Sequence, residues 1–220
     1  MKANEVWVVM PAYNEEKRIK KVIRETIRYA ENVVVVDDGS KDSTYDIAKK
    51  FNIAVLRHVV NLGKGAALKT GCDYAFKKGA GKIVVLDADA QHDPKEIPEF
   101  IKNLNKADIV FGYRQRNKDM PFVLKLGNWF IGLATRLLYG INLRDTQSGY
   151  RAFTAEAYKK IRWSACDYSM ESEMITKAGK RHLSYKEIPI KTIYGDKYKG
   201  TTILDGIKIV LNLIWWRAAK

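Results

Sequence analysis

The sequence predicts a single α/β domain in which helices cover both faces of a mostly parallel β-sheet. Short, β-branched apolar runs alternate along the chain with segments whose apolar residues repeat at helical spacing. This alternation is the pattern of βαβ units. At 220 residues the chain is long enough for one such domain with a sizeable core. We therefore expect one domain over residues 1–220, with two halves, 1–115 and 116–220, that differ in sequence pattern.

The first half carries five predicted strands, and a predicted helix follows each of the first four. Residues 33–36 are four consecutive valines, as expected for a parallel strand that is buried on both faces. Asn14 is a predicted helix N-cap, and Pro94 suits the first turn of a helix. The predicted strands cover residues 6–10, 33–36, 53–56, 83–86 and 108–111, and the predicted helices cover 14–27, 42–50 and 66–78 and begin again near 94.

After residue 115 two apolar helical stripes enclose shorter elements. The first stripe covers residues 122–137, and the second covers 203–214 and ends in Trp215-Trp216-Arg217. Tryptophan beside arginine on an amphipathic helix is typical of a membrane–water boundary, so we expect peripheral membrane contact. The alternative is that both stripes pack on the sheet or on a second subunit. Between the stripes we expect a polar turn at 144–151, helices after 154 and at 170–180, and a strand at 183–190.

The composition indicates an anionic partner. Lysine and arginine number 39 against 25 acidic residues, for a formal net charge of +14. This charge suits a phosphorylated substrate, nucleic acid or an acidic lipid surface, and it also fits a solvated surface. Cys72 and Cys166 are too few for a disulfide framework, which fits a reducing compartment. We expect neither a signal peptide nor a transmembrane helix, since no run of about 18 uncharged apolar residues occurs.

Unusual polar or aromatic residues follow four of the predicted strands. The segments are residues 11–13, 37–38, 87–89 and 112–114. Ligands of open parallel sheets bind at the carboxyl ends of the strands. Four coincidences of this kind are hard to assign to loop composition alone, so the sequence predicts a binding site at the carboxyl edge of the sheet.

The strongest single candidate is Asp87-Ala88-Asp89, which follows the fourth predicted strand. If the strand conformation continues through this segment, Asp87 and Asp89 point to the same face and Gln91 follows them. Two convergent carboxylates repel each other unless a cation lies between them, and oxygen ligands suit Mg²⁺ or Mn²⁺. The alternative is that the two aspartates only end a strand and cap the next helix.

The order of the motifs resembles that of the family-2 glycosyltransferases, which have the Rossmann-like glycosyltransferase-A fold. The resemblance is nearest to the dolichyl-phosphate mannosyltransferase, or polyprenyl-phosphate glycosyltransferase, branch. Each motif is weak alone, but together in this order they are specific. The matching segments are residues 9–15 (VMPAYNE), 35–44 (VVDDGSKDST), 61–67 (NLGKGAA), 87–92 (DADAQH) and 146–151 (TQSGYR).

The resemblance implies a nucleotide-sugar donor, linked to GDP or UDP, at the carboxyl edge of the sheet. It assigns Asp87 and Ala88 to the ribose or sugar. It assigns Asp87, Asp89 and Gln91 to the Mg²⁺ or Mn²⁺ on the diphosphate. Lys64 is expected near the nucleotide, although the glycine spacing around it matches neither a dinucleotide-binding nor a phosphate-loop fingerprint. The residues assigned to the base and ribose are Pro11, Ala12, Tyr13, Glu15, Asp37 and Asp38.

The motifs favour a phosphate acceptor over a hydroxyl acceptor. A hydroxyl needs a general base, but residues 169–173 lack the adjacent acidic pair that hydroxyl-using relatives often carry. A lipid monophosphate is already anionic at neutral pH and needs cations instead. For Arg151 the alternative is a bridge to Asp145 or Glu156. The cations assigned to the reaction or the acceptor are Arg114, Lys125, Arg151, Lys197 and Lys199.

The resulting hypothesis is a metal-dependent, inverting glycosyltransferase that moves a hexose onto dolichyl or polyprenyl phosphate. Residues 1–115 would bind the donor, and residues 116–220 would bind the acceptor and the membrane. Mannose from GDP-mannose is the first expectation, and the alternatives are UDP-glucose as donor or a glycan hydroxyl as acceptor. We expect a peripheral protein at the cytosolic membrane face, acting with a membrane partner or as a homo-oligomer. A nucleic-acid-binding module is disfavoured, because acidic pairs at strand ends would repel a phosphate backbone.

Overall fold

The computed structural model describes residues 5–114, 122–191 and 203–218, and it confirms the predicted α/β class. One sheet contains the seven strands of this part of the chain. They are β1 (Val6–Ala12), β2 (Asn32–Asp37), β3 (Ala54–Arg57), β4 (Lys82–Val85), β5 (Ile109–Arg114), β6 (Arg151–Thr154) and β7 (Tyr185–Ile190). Their order is β3-β2-β1-β4-β6-β5-β7. Every strand runs parallel to the others except β6, which is antiparallel to both of its neighbours.

Helices cover both faces of the sheet. On β2, Val33 and Val35 enter the core beneath α1, α2 and α4, whereas Val34 and Val36 enter the core beneath α3, α6 and α7. This burial on both faces explains the continuous valine run, and it fixes the carboxyl ends of the strands in place. The helices are α1 (Ile19–Thr26), α2 (Thr44–Ala48), α3 (Lys64–Lys77), α4 (Ile97–Asn103), α5 (Phe122–Tyr139), α6 (Ala155–Ile161), α7 (Met170–Lys180) and α8 (Ile203–Ala218).

The two apolar stripes of the sequence form helices α5 and α8, which pack against each other and against α7. Their shared core contains Ile131, Ile209 and Leu213, and the hydroxyl of Tyr139 donates to the Leu213 carbonyl at 2.6 Å. In the described part of the chain, no helix is both long and apolar enough to cross a bilayer. Large apolar side chains that stay exposed on this pair are Leu133, Leu137, Leu211, Ile214 and Trp215.

Three details of the sequence-based prediction were wrong. Strand β6 was assigned to a polar turn and the residues after it, because four residues give too little periodicity to identify a strand. Asn14 does not cap α1, which begins at Ile19; its backbone has a φ of 53° and its side chain accepts from the Lys41 amide at 2.9 Å. Residues 112–114 do not follow β5 but form its last three positions.

Candidate active site

The carboxyl ends of β1, β2 and β4 lie side by side at one edge of the sheet. Ala12 is the register partner of Asp37, and Val9 is the partner of Val85 at the end of β4. Pro11 and Ala12 are buried in the last two positions of β1. The parallel register therefore brings the three polar segments after these strands to a common edge, as the sequence predicts.

Asp38 anchors the loop that joins β3 to α3. Its carboxylate accepts from the amides of Leu62 and Gly63 at 3.0 and 2.8 Å, and it lies 2.7 Å from Nδ1 of His58. The other ring nitrogen of His58 lies 3.0 Å from the hydroxyl of Thr70 on α3. These partners occupy both oxygens of a buried carboxylate. Asp38 therefore supports the site by fixing the chain just before Lys64.

Asp37 has different surroundings, although it is adjacent in sequence and equally buried. It forms an ion pair with Arg57 at 3.1 Å, but neither of its oxygens accepts a hydrogen bond within the described residues. Buried polar atoms without such a bond are uncommon in folded proteins. Of the two neighbouring aspartates, Asp37 is thus the one whose acceptor capacity the described residues leave unused, although its side chain is fully covered.

Tyr13 and Glu15 follow β1 at the same edge. Tyr13 is exposed, so its ring is accessible to a ligand. Glu15 is buried, its carboxylate pairs with Arg18 at 2.9 Å, and its amide donates to the Thr44 hydroxyl at 2.7 Å. Glu15 thus ties the end of β1 to α1 and α2. Its assignment to the base and ribose stays a prediction.

Lys64, the first residue of α3, joins the two halves of the chain at this edge. Its Nζ lies 2.9 Å from Oδ1 and 3.1 Å from Oδ2 of Asp87, and 3.2 Å from Oε1 of Glu171 on α7. Only 18% of the Lys64 side chain and 4% of the Glu171 side chain are exposed. His92 Nε2 lies 3.5 Å from Oδ2 of Asp87.

The charges of this cluster stabilise one another. Burial alone would lower the pKa of Lys64, but attraction to Asp87 and Glu171 outweighs it and holds the pKa above its ordinary value. Burial alone would raise the pKa of Asp87, but Lys64 and His92 hold it below its ordinary value. Lys64 is therefore a cation and Asp87 an anion at neutral pH.

Asp89 lies in a turn rather than in a strand. Strand β4 ends at Val85, so the alternation that was expected to align Asp87 with Asp89 does not reach them. Ala90 has a φ of 62°, and the Asp89 carboxylate accepts from the amide of Gln91 at 3.0 Å. Burial, and then repulsion from Asp87, raise the pKa of Asp89. A turn rather than an extended strand therefore sets the positions of the two carboxylates, and their joint binding of a metal ion stays a prediction.

The donor set fits a divalent cation that substrate oxygens help to coordinate. The repulsion between Asp87 and Asp89 is relieved when a cation binds beside them. Across residues 5–114, 122–191 and 203–218, no three His, Cys, Asp or Glu side chains form a complete metal site. Mg²⁺ commonly binds through one or two carboxylates and substrate phosphates. The side-chain amide of Gln91 has no partner among the described residues and is an available third oxygen donor.

The first turn of α3 is closed to a phosphate group. The amides of Gly65 and Ala66 donate to the carbonyl of Cys166 at 2.7 and 3.2 Å. A β-carbon on Gly65 would lie 2.4 Å from the carbonyl oxygen of Ala165, so the helix approaches this loop too closely for any other residue. Buried Trp163 donates from Nε1 to the Gly65 carbonyl at 2.8 Å. This packing agrees with the absence of a phosphate-loop fingerprint in the sequence.

Arg114 and Asp145 form a two-pronged ion pair at the end of β5. Nε and one terminal nitrogen of Arg114 lie 2.6 and 3.1 Å from the two oxygens of Asp145. Burial alone would raise the pKa of Asp145, but the hydrogen bonds and charge of Arg114 outweigh it and hold the pKa below its ordinary value. Arg114 is partly exposed, with 18% of its side chain accessible. Its assignment to the acceptor phosphate stays a prediction.

Arg151 is buried at the start of β6, and the carbonyls of Thr146, Ser148 and Glu171 accept from its guanidinium at 2.7 to 2.8 Å. Burial lowers the pKa of Arg151 to about 10, so it stays charged at neutral pH. Neither Asp145 nor Glu156 bridges to it by a hydrogen bond. In this conformation Arg151 holds the 146–149 loop against α7, and it would reach a phosphate only by breaking these bonds.

Three further predicted residues have no described side chain. Lys125 lies in α5, whose backbone is described at that position, but its side chain is outside the described part. Lys197 and Lys199 lie outside the described residues. Their assignments to the acceptor stay predictions.

Several buried polar atoms at the carboxyl edge of the sheet make no hydrogen bond to the described residues. Nδ1 of His92, the hydroxyl of Ser148 and Oε2 of Glu171 belong to residues at or next to the Lys64–Asp87 pair, and both carboxylate oxygens of Asp37 lie at the end of β2. Such atoms cost stability unless a ligand or water satisfies them. Their concentration at one edge of the sheet indicates a polar ligand site.

Comparison with known proteins identifies the family. The model described as "Glycosyl transferase family 2" matches residues 7–162, which is more than half of the chain. The chain belongs to glycosyl transferase family 2. It is therefore a glycosyltransferase, and the resemblance recognised in its motifs is confirmed.

Two relatives and one solved structure illustrate the similarity. The UDP-N-acetylglucosamine–dolichyl-phosphate N-acetylglucosaminyltransferase of Methanococcus voltae is 35% identical over 98% of this chain and 97% of that protein. The undecaprenyl-phosphate mannosyltransferase of Micrococcus luteus is 28% identical over 97% of this chain and 94% of that protein. The glucosyl-3-phosphoglycerate synthase of Mycobacterium tuberculosis, solved with Mn²⁺ and UDP, superposes with a TM-score of 0.75 at 20% identity. It covers 98% of this chain and 80% of its own, which confirms the glycosyltransferase-A-like fold.

Sequence reasoning missed two residues of this glycosyltransferase's site, Gly149 and Glu171. A β-carbon on Gly149 would lie 2.5 Å from Oδ2 of Asp87 and 2.8 Å from Nζ of Lys64, so the loop touches the ion pair directly. Glu171 reaches Lys64 from the far half of the chain. The TQSGYR motif was a signal for Gly149, but no local pattern distinguishes Glu171 from other helix-start acids.

Proposed function

We propose that this family-2 glycosyltransferase moves a sugar from a nucleoside diphosphate donor onto a dolichyl or polyprenyl phosphate, with inversion and with Mg²⁺ or Mn²⁺. The observation that carries the proposal is the cluster of Lys64, Asp87 and Asp89 at the carboxyl edge of the sheet. A cation and two mutually repelling carboxylates suit a leaving diphosphate that is held with a divalent ion. The similarity to two polyprenyl-phosphate transferases supports the acceptor class.

The proposed donor site uses Asp37 and Tyr13 for the nucleoside and the Lys64 cluster for the diphosphate. Asp37 has unused acceptor capacity for N–H groups of a base or hydroxyls of a ribose. A divalent ion held by Asp87, Asp89 and Gln91 would act as a Lewis acid that neutralises the leaving diphosphate. Lys64 adds a fixed positive charge beside the same group, and Asp87 and Glu171 orient it.

The proposed acceptor is a phosphate rather than a hydroxyl. A phosphate monoester is an anionic nucleophile at neutral pH, so it needs cations for its approach and no general base. Arg114 supplies a cation whose orientation Asp145 fixes. Glu171, a carboxylate of the second half that a hydroxyl acceptor could use as base, is buried and ion-paired with Lys64.

We consider two candidate donors, a UDP-sugar and GDP-mannose. The relative with the higher identity is named for UDP-N-acetylglucosamine, which puts a UDP-sugar first in the test. GDP-mannose, the first expectation from the motifs, is the second donor to test, because another relative is named as a mannosyltransferase.

A panel of labelled donors tests the proposal. The protein is incubated with dolichyl phosphate, Mn²⁺ or Mg²⁺, and labelled UDP-N-acetylglucosamine, UDP-glucose or GDP-mannose. We expect one donor to put label into the organic phase, and EDTA to abolish the transfer. Label that enters only water-soluble glycans would replace the phosphate acceptor by a hydroxyl acceptor. Transfer that proceeds unchanged in EDTA would exclude the metal.

We also propose that α5 and α8 contact the cytosolic membrane surface, where a polyprenyl phosphate presents its headgroup. The pair exposes Leu137 and Trp215, with 74% and 69% of each residue accessible. The net charge of +14 favours anionic lipid. A homo-oligomer or membrane partner that covers the same helices stays an alternative prediction.

Vesicle sedimentation tests the membrane contact. Complete burial of a large apolar side chain contributes about 1.5–3 kcal/mol, and a tryptophan at a membrane surface buries only part of its area. Trp215→Ser should therefore weaken binding to anionic vesicles by about three- to tenfold. Val59→Ser is the matched control, because Val59 is 98% exposed on the loop after β3. Equal losses in the two variants, or no loss in either, would contradict contact through α8.

A further inference from the structure

Glu171 differs from the other acid in the first turn of α7. Both oxygens of Glu173 accept from the amides of Ser164 and Ala165, and Lys177 pairs with it at 2.8 Å. Glu173 is therefore fully used in fixing the loop before α7. Among the described residues, Glu171 forms an ion pair with Lys64 through Oε1 at 3.2 Å, and its Oε2 is buried without a hydrogen bond.

The cluster that Glu171 joins contains three carboxylates and two cations. Lys64 is shared by Asp87 and Glu171, Asp89 is close enough to Asp87 for the two carboxylates to repel, and Glu171 also attracts the buried guanidinium of Arg151. The hydrogen bonds of that guanidinium go to backbone carbonyls and do not use the Glu171 carboxylate. The ion pair that the Glu171 carboxylate makes is with Lys64, at 3.2 Å.

We propose that Glu171 is a positioning residue, which holds the Lys64 ammonium in the diphosphate site while Asp87 turns to the donor. This inference rests on the proposed function and deepens it. In the structure Lys64 is shared by two carboxylates. When the donor and its cation engage Asp87, Glu171 is the counter-ion that keeps Lys64 beside the leaving diphosphate. The second half of the chain thereby helps to assemble the donor site.

The sign of the Glu171→Gln effect separates this role from simple electrostatics. Removal of a nearby negative charge would by itself strengthen the binding of an anionic diphosphate. Loss of positioning weakens it instead, because Lys64 is then held by Asp87 alone. We expect Glu171→Gln to raise the Kd of UDP or GDP, measured with Mn²⁺ by calorimetry, by about tenfold, which is within the range of pairwise coupling. An unchanged or lower Kd would overturn the proposal.

A double-mutant cycle tests whether Glu171 acts through Lys64. Lys64→Met alone should raise the Kd at least as much as Glu171→Gln, and the double variant should be no weaker than Lys64→Met. Additive losses would overturn the link between the two residues. Glu156→Gln, the same chemical change at an exposed acid that pairs with Lys159, is the control and should leave the Kd unchanged.

A second variant keeps the test decisive if Glu171→Gln folds poorly. Glu171→Asp retains the charge but shortens the side chain by one methylene, so it should withdraw the carboxylate from Lys64 and also raise the Kd. A wild-type Kd in this variant would show that charge alone is required, and positioning would be excluded.

Thermal unfolding without ligand separates this proposal from the proposed function. Lys64→Met removes the ammonium that Asp87 and Glu171 share, so it should lower Tm, and addition of Glu171→Gln should restore part of the loss. If the decreases in Tm are additive, Lys64 and Glu171 do not stabilise each other. The pairing is then overturned whichever donor the enzyme uses. If wild-type protein binds neither UDP nor GDP with Mn²⁺ while the Tm values are non-additive, the proposed function fails and the pairing stands.

Discussion

Two acidic segments lie at the same edge of this sheet, and the fold treats them differently. Asp38, at the end of β2, is satisfied by backbone amides and His58 of its own supporting loop. Asp87, beyond the end of β4, is satisfied by Lys64, a side chain whose position is not fixed by the backbone around the carboxylate. Asp89, two residues further on, is destabilised by Asp87.

The difference shows how one residue type acquires two roles at equivalent positions. A carboxylate that backbone amides surround is committed to the fold, because its partners cannot leave without unfolding the loop. A carboxylate that pairs with a mobile side-chain cation, or that repels a neighbouring carboxylate, is stabilised when a metal ion binds beside it.

Asp89→Asn should have the largest effect on activity and little on stability. The neutral amide is a weaker metal ligand, so sugar transfer should fall by about a thousandfold, the scale of losing a major electrostatic contact to the leaving group. Relief of the repulsion from Asp87 should leave Tm without ligand unchanged or higher. Turnover and thermal melts measure the two effects, with Asp46→Asn, an exposed helix acid, as control. Undiminished turnover would remove Asp89 from the metal site.

Asp38→Asn and Asp37→Asn should separate the two neighbouring aspartates. In Asp38→Asn, the side-chain NH₂ of the asparagine would face an N–H donor that now points at a carboxylate oxygen. This should cost about 3 kcal/mol of unfolding free energy. Asp37→Asn loses only the ion pair with half-exposed Arg57 and should cost less than about 1 kcal/mol. Urea denaturation measures both free energies, and calorimetry should find weaker nucleotide binding for Asp37→Asn. Equal stability losses would mean that the two carboxylates are not used differently.

Gly149→Ala tests how tightly the ion pair is packed. The new β-carbon would lie 2.5 Å from Asp87 Oδ2, so the carboxylate or the loop must shift. We expect transfer to fall by about 10- to 100-fold, because small displacements of positioning groups are costly in enzymes. Gly132→Ala is a suitable control, because a β-carbon at Gly132 would have its nearest neighbour, the carbonyl oxygen of Leu143, at 3.6 Å. Gly79→Ala is unsuitable, because Gly79 has a positive φ and alanine there would strain the backbone. Wild-type activity in Gly149→Ala would show that the Lys64–Asp87 pair tolerates displacement.

Asp145→Asn should have the smallest effect, and one that depends on pH. The pKa of Asp145 in the fold is below its ordinary value of 3.8, so its ionised form contributes stability above that pH. This contribution is lost as the pH falls through the lower, folded pKa. We expect a cost of about 1–2 kcal/mol at pH 7, since Arg114 is partly exposed, and a smaller cost in acid. Urea denaturation across pH measures it, and a constant cost would exclude the ion pair as its cause.

The elements that the sequence predicted well are those with a local signal. The valine run of β2 identified a strand buried on both faces, and the polar residues after β1, β2 and β4 identified the edge where they meet. Pro94 marked the turn that leads into α4, and in the structure the carboxylate of Asp93 accepts from the Lys95 amide at 3.0 Å there. These signals depend on neighbours in sequence.

The site's partners depended on contacts that no local pattern records. The insertion of β6 between β4 and β5 carries Arg151 into the core. The pairing of Lys64 with Glu171 exists only because α7 packs beside the start of α3.

The sequence by itself therefore determined the fold class and the family, and it predicted a candidate site at the carboxyl edge, because strand periodicity and motif order are properties of short segments. The tertiary structure alone decided which carboxylate is structural and which is available. The reason is physical: the state of a buried charge depends on the donors and charges around it, and here these come from segments far apart in the chain.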